Sequence, residues 1–80
     1  MDKQELMIRL EEAEALTADG FDNALIGIAD GVAVYDLHKC RGELMLRDGM
    51  TDEEAQEYLD YNVVGSYVGP KTPIFVELVN

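Results

Sequence analysis

The single histidine and the single cysteine of this chain lie two positions apart, at His38 and Cys40. A neighbouring imidazole can activate a thiol, which makes this pair the first candidate for nucleophilic catalysis. On a helix, however, residues two apart point about 200° away from each other, so their side chains cannot form a hydrogen bond. Cys40 also shares helical spacing with Leu37 and Leu44, and a free cysteine on an apolar stripe behaves as a small hydrophobic residue. We therefore predict that Cys40 belongs to the core and that His38 faces solvent.

Carboxylates are concentrated between residues 48 and 60, a segment with six acidic residues and no basic residue. Calcium loops carry oxygen ligands in the order D-x-[DN]-x-[DN]-G with a distal Glu, and this segment lacks that order. Acid–base catalysis by paired carboxylates needs a pocket that separates their pKa values, and no feature of the sequence indicates one. The better interpretation is the start of a solvated helix, where the helix dipole favours negative charge.

The glycines do not form a phosphate-binding loop. Neither G-x-G-x-x-G nor G-x-x-x-x-G-K-[ST] occurs, and the stretch from Gly65 to Gly69 lacks the lysine and the following helix. Turn geometry is the more usual reason for such glycines. Because no nucleophile, metal cluster or cofactor loop remains, we expect no cofactor and predict that the protein is not an enzyme.

The composition predicts one folded domain that spans residues 1–80. A hydrophobic fraction of 48% with 29% charged residues is typical of a globular protein. The formal net charge is −11, from 17 acidic and 6 basic side chains, which argues against direct binding of nucleic acid because phosphate contacts need a basic face. The longest stretch without charge, residues 61–70, is much shorter than the about 20 apolar residues of a membrane span. With one cysteine and no basic and apolar leader, we expect a cytoplasmic setting.

Three segments have the apolar spacing of helices. The first runs from Asp2 to about Ala18, and its predicted inner stripe is Leu6, Leu10, Ala13 and Leu16. The second begins after Asp36 as its N-cap and ends before Asp48-Gly49. The third begins at Thr51, which is placed to form a capping box with Glu54. Its predicted inner stripe is Ala55, Tyr58, Leu59 and Asn62.

Two short apolar runs, 24–29 and 32–35, flank Asp30-Gly31. This pair is a strong signal for a tight hairpin with positive φ at both turn residues, and Gly27 indicates a bulge in the first strand.

A last strand is expected over residues 73–79. It is apolar on both faces until Glu77, so we expect it to be covered on more than one side. Another chain is one candidate for this cover. The segment 63–72 before it is expected to be an ordered connection packed on the core. Together the elements predict an α+β fold with three helices and a small three-stranded antiparallel sheet, in the order α-β-β-α-α-β.

The second half of the chain combines a set of short motifs: Val32-Ala33-Val34-Tyr35-Asp36, Asp48-Gly49-Met50-Thr51, Glu54-Ala55, Glu57-Tyr58, Tyr61-Asn62, Gly65, Tyr67-Val68-Gly69 and Thr72-Pro73. In this combination the chain resembles a group of small, functionally uncharacterised proteins of bacteriophages, prophages and bacteria. The resemblance leaves the first helix outside. It implies a phage or bacterial cytoplasmic setting and carries over no activity and no catalytic residue.

The surplus of negative charge is compatible with two classes of function. The first is an interaction protein that binds a basic surface of a host or phage macromolecule, because negative charge steers association and can compete with nucleic acid for that surface. Inhibitors of nucleic-acid-handling defence systems, including anti-CRISPR proteins, are one such class, although many proteins are acidic for solubility alone. The second is a small self-associating structural or regulatory domain, a homodimer paired through the final strand.

Two acidic surfaces are the candidate partner-binding sites. They are Glu11, Glu12 and Glu14 on the first helix and Asp52, Glu53 and Glu57 on the third. The tyrosines at 58, 61 and 67 are open to two interpretations. They form an aromatic binding patch, or Tyr58 fills the core while the other two brace the glycine-containing connection. The second interpretation is favoured because 80 residues provide little core.

Overall fold

The computed structural model describes residues 1–64 and 67–79, with the backbone alone for Val64. Its helices are α1 (Lys3–Glu12), α2 (Leu37–Asp48) and α3 (Asp52–Leu59), and its strands are β1 (Leu25–Ala29), β2 (Val32–Asp36) and β3 (Ile74–Val76). A short 3-10 helix at Asp22–Ala24 precedes β1, and a π-helical segment at Asp60–Val64 follows α3. The α+β class and the predicted order of elements are confirmed. In the described residues no helix is long and apolar enough to span a membrane.

The sheet is mixed, so the prediction of a purely antiparallel sheet is wrong for its last strand. β2 lies in the centre, pairs antiparallel with β1 and pairs parallel with β3. Parallel neighbours require a crossover that returns the chain to the same end of the sheet. Here α2, α3 and the segment after them form that crossover. β3 is also shorter than the predicted strand 73–79, because only residues 74–76 pair with β2.

The hairpin between β1 and β2 has the predicted geometry. Asp30 and Gly31 have φ values of 51° and 75°, as a two-residue hairpin turn of this kind requires. The strand register shifts between Leu25 and Gly27, which confirms the bulge. This hairpin carries the central strand of the sheet and therefore positions every helix that packs on it.

Helix α1 ends at Glu12, earlier than the predicted end near Ala18. Glu14 adopts the left-handed conformation with φ 57°. The backbone N–H of Glu14 donates to Glu11 O at 3.0 Å, and the N–H of Ala15 donates to Leu10 O at 2.9 Å. These two bonds form a Schellman motif, which closes a helix and usually contains glycine at the left-handed position. Because a glutamate occupies that position here, the sequence contained no usual stop signal before Gly20.

The other helix starts follow their caps. The Asp36 carboxylate accepts hydrogen bonds from the N–H groups of His38 and Lys39, at 2.9 and 3.4 Å, and begins α2. Gly49 ends this helix with φ 69°. At α3, Thr51 and Glu54 form the reciprocal capping box, with bonds of 3.2 and 2.9 Å.

The core lies between the three helices and one face of the sheet. Tyr35 is at its centre, where its ring stacks on Phe75 at 5.1 Å and its hydroxyl accepts the N–H of Ala18 at 2.8 Å. The buried cluster consists of Leu6, Leu10, Phe21, Ala24, Leu25, Ala33, Tyr35, Cys40, Leu44, Ala55 and Leu59.

Four residues of the predicted inner stripes lie outside this core. Ala13 is half-buried at the end of α1, Leu16 is exposed because α1 has already ended, and Tyr58 and Asn62 are exposed. The predicted connection 63–72 is described in part, since Gly65 and Ser66 lie outside the described residues. Val63 packs against the core, in keeping with that prediction.

Candidate functional site: an acidic and aromatic groove on the third helix

The pair His38 and Cys40 is not a nucleophile and its base. Cys40 is fully buried in the core, whereas His38 is exposed and its Nδ1 accepts a hydrogen bond from the guanidinium of Arg41 at 3.0 Å. Burial raises the pKa of the Cys40 thiol to about 11, and the charges of Asp36 and Glu43 add to that rise. The thiol is therefore protonated at neutral pH, and both sequence predictions for this pair are confirmed.

The acidic residues predicted on the first helix lie at its end. Glu11 and Glu12 belong to the last turn of α1, and Glu14 forms the left-handed stop after it. All three side chains are exposed. The main cavities among the described residues include none of them. These three residues therefore form an exposed acidic surface and not a binding cavity.

The acidic residues predicted on the third helix fall into three different environments. Asp52 forms an ion pair with Arg41, with 3.1 Å between Oδ1 and Nε, so part of its charge is already balanced. Glu53 is exposed on the first turn of α3. Glu57 lines a cavity, and in the described part of the chain it has no hydrogen-bond or ion-pair partner.

That cavity is an open groove of about 630 Å³, which we call the α3 groove. It is formed by the exposed side of α3, the π-helical segment after it and the residue before Thr51. Its lining is Met50, Glu54, Glu57, Tyr58, Asp60, Tyr61 and Asn62. The volume lies within the range of about 300–1,000 Å³ typical of binding sites.

Helical spacing gathers these side chains. Residues three or four apart lie on the same side of a helix, which joins Glu54 to Glu57 and Tyr58, and these to Tyr61. Tyr58 is 39% exposed and Tyr61 is 87% exposed, so the interpretation of Tyr58 as a core residue is wrong. Leu59, which was predicted on the same inner stripe, is fully buried, so that part of the prediction is confirmed.

The carboxylates of the groove keep free acceptor capacity. One oxygen of Glu54 accepts the N–H of Thr51 at 2.9 Å, and one oxygen of Asp60 accepts the side-chain amide of Gln56 at 2.9 Å. The second oxygen of each carboxylate, and both oxygens of Glu57, have no hydrogen-bond partner in the described part of the chain. The groove therefore offers negative charge and hydrogen-bond acceptors beside two aromatic rings.

The sequence prediction named Glu57 as a partner-binding residue and weighed Tyr58 and Tyr61 as part of an aromatic patch, but it did not join them into one site. It placed Glu54 in the capping box and both Glu54 and Asp60 in the acidic segment 48–60, and it named neither as a binding residue. The signal that could have found the groove is the series Glu54, Glu57 and Tyr58, then Tyr61, which repeats at helical spacing. It was obscured because Tyr58 also falls on the predicted inner stripe.

A second cavity, of about 340 Å³, is polar and is lined by Asp36, His38, Arg41, Glu77 and Leu78. Its buried carboxylate is Asp36, which is engaged in capping α2. Among the described residues no group of three or more His, Cys, Asp or Glu side chains is placed to hold a metal ion.

Comparison with protein-family models, with curated proteins and with solved structures finds no match to this chain. The resemblance to small phage and bacterial proteins therefore stays a prediction.

Proposed function

We propose that this protein is a non-enzymatic interaction protein that binds a basic surface of another macromolecule through the α3 groove. The observation that carries the proposal is the meeting of three carboxylates with two exposed tyrosines in one groove. Arginine and lysine side chains form charge-assisted hydrogen bonds with carboxylates and cation–π contacts with tyrosine rings. Aromatic residues are also enriched at protein interfaces, whereas an acidic surface that serves only solubility needs none.

The charge of the whole chain supports the same proposal. A net charge of −11 attracts a basic partner over distance and repels nucleic acid. Basic protein surfaces commonly bind nucleic acid, so we propose that the protein competes with nucleic acid for such a surface. An inhibitor of a nucleic-acid-handling defence system, such as an anti-CRISPR protein acting in a bacterial cytoplasm, works in this way. The resemblance to phage proteins favours that setting.

The proposal predicts a salt-sensitive partner that depends on the α3 groove. Immobilised protein would be incubated with nuclease-treated bacterial lysate at ionic strengths of about 0.1 M and about 1 M, where charges act over about 10 Å and about 3 Å. We expect a basic protein to be retained at low salt and lost at high salt. The double variant Glu57→Gln with Asp60→Asn should retain about 5- to 10-fold less of it, because two charged contacts are lost.

The matched control is the double variant Glu11→Gln with Glu12→Gln. It removes the same number of charges from exposed residues that line none of the main cavities of the described residues. We expect it to bind nearly as well as the parent. Equal losses in both variants would mean that binding follows net charge alone, and retention of no salt-sensitive protein would contradict the proposal.

A second candidate function, self-association, is favoured by the outer edge of the sheet. β3 is an edge strand, and the only strand paired with it among the described residues is β2. Ile74 on this strand is exposed, as are Leu78 and Val79 after it. A free apolar edge is a template for pairing with another copy.

Sedimentation at micromolar concentration tests this second candidate. Self-association through β3 predicts a species of twice the chain mass of 8.9 kDa. It also predicts that Ile74→Lys converts that species to a monomer, while Leu46→Lys on the exposed side of α2 does not. A parent protein that sediments as a monomer would contradict the candidate.

A further inference from the structure

Next to the α3 groove lies another groove, distinct from the polar cavity at Asp36, that the proposed function does not use. Its volume is about 340 Å³, and its walls come from the segment after α1, from the end of α3 and the π-helical segment, and from the residues that lead into β3. We call it the apolar groove. Its apolar lining includes Leu16, Phe21, Tyr58, Val63, Val68 and Phe75.

Two of these walls carry large apolar side chains that are exposed to solvent rather than buried in the core. Leu16 is 44% exposed and Val68 is 64% exposed. Large aliphatic side chains on the rim of a concave apolar surface are typical of a site that buries an apolar group of a partner. The groove is about half the volume of the α3 groove, so it suits one large side chain rather than the face of a helix.

The two grooves adjoin each other, because Tyr58 and Asn62 line both of them. A chain segment that lies across Tyr58 therefore contacts both. Carboxylates line both grooves, with Asp19 in the apolar groove and Glu57 and Asp60 in the α3 groove. The combined surface therefore joins an apolar lining to negative charge in each groove.

We infer that the apolar groove binds one large apolar side chain, such as Phe or Leu, of a protein segment whose flanking residues are Arg or Lys. The inference rests on the proposed function, since the basic residues of the same segment occupy the α3 groove. Charge complementarity selects this occupant over a second copy of the chain. A second copy carries the same net charge of −11 and would bring further carboxylates toward Asp19, Glu57 and Asp60.

A short labelled peptide, Arg-Lys-Gly-Phe-Gly-Lys-Arg, tests the inference by fluorescence anisotropy with the intact protein at low ionic strength. Two further peptides separate the contributions: one has Ala in place of Phe, and the other has Gln in place of the four basic residues. We expect the Ala peptide to bind about 10-fold more weakly or worse, because a buried Phe side chain is lost. The Gln peptide should bind more weakly still, because the charged contacts are absent.

Protein variants locate the binding of the Phe side chain. In the double variant Leu16→Gln with Val68→Thr, the affinity for the Phe peptide should fall to that of the Ala peptide. The affinity for the Ala peptide should stay unchanged. Leu46→Gln, a polar substitution on the exposed side of α2, is the matched control and should change neither affinity. Amide chemical shifts of Leu16, Val63 and Phe75 should move with the Phe peptide and not with the Ala peptide.

Equal affinity for the Phe and Ala peptides, with both weakened by Glu57→Gln and Asp60→Asn, would overturn the inference and leave the proposed function standing. If the Gln peptide bound as tightly as the Phe peptide, the inferred requirement for flanking Arg or Lys residues would be overturned. Failure of both basic peptides to bind would overturn the inference and the proposed function together.

Discussion

Replacing Leu44 by Ala is expected to lower the free energy of unfolding by about 2–5 kcal/mol. Leu44 is 1% exposed and belongs to the single buried cluster formed by the described residues of the three helices and the sheet. The substitution removes apolar contacts and leaves a cavity. Small domains have roughly 0.05–0.15 kcal/mol of stability per residue, so this loss is a large fraction of the total. Urea unfolding followed by circular dichroism would measure it.

Leu46→Ala provides the matched control on the same helix. Leu46 is 90% exposed, and alanine favours helix at least as well as leucine, so we expect a change within about 0.5 kcal/mol. If Leu46→Ala lowered the free energy of unfolding as much as Leu44→Ala, this would contradict the orientation of α2, in which Leu44 faces the core and Leu46 faces solvent. A loss that varied with protein concentration would indicate instead that Leu46 is buried in an oligomer.

The parts of the fold that the sequence predicted are those decided by neighbouring residues. Asp30-Gly31 specifies its hairpin because few other pairs tolerate two positive φ values. Thr51 and Glu54 specify the start of α3 because each satisfies a backbone N–H group of the other. Cys40 and Leu44 were placed in the core by helical spacing alone. In each case the deciding residues are at most four positions apart in the chain.

The errors arose where distant contacts decide the outcome. Glu14 stops α1 in a conformation that costs a non-glycine residue energy, and the half-buried packing of Ala15 and Ala18 against the core accompanies that stop. The parallel direction of β3 depends on the path of the whole crossover, which no residue of β3 encodes. Tyr58 and Leu59 share one predicted inner stripe, and only Leu59 is buried, which helical spacing alone does not distinguish.

The candidate site shows the same difference between local and distant contacts. The α3 groove is built almost entirely from one continuous segment, so its residues can be recognised from their helical spacing once Tyr58 is assigned to the surface. The apolar groove joins Leu16, Val63 and Phe75, which are far apart in the chain, and the pairing of β3 with β2 places Phe75 there. No local pattern marks those residues as neighbours.

The second large effect is expected at alkaline pH, where the protein should lose about 2–3 kcal/mol of stability through Cys40 alone. The core raises the pKa of this thiol from its ordinary value of 9.0 to about 11, chiefly by burial and further by the charges of Asp36 and Glu43. The folded state therefore holds the proton more tightly than the unfolded chain. This contribution is complete below pH 9.0 and is lost as the pH rises through about 11.

Tyr35 acts in the same direction. Its pKa is also raised, chiefly by burial, although the hydrogen bond from the N–H of Ala18 opposes the rise. The variant Cys40→Ala separates the two groups, because it removes the thiol titration and keeps that of Tyr35. Urea unfolding from pH 9.0 to about 11 should then show a smaller decline for Cys40→Ala than for the parent, whatever stability the variant has lost at neutral pH. Parallel declines in the two proteins would mean that folding does not raise the pKa of the Cys40 thiol, and that Tyr35 or other titrating groups cause the alkaline loss of stability.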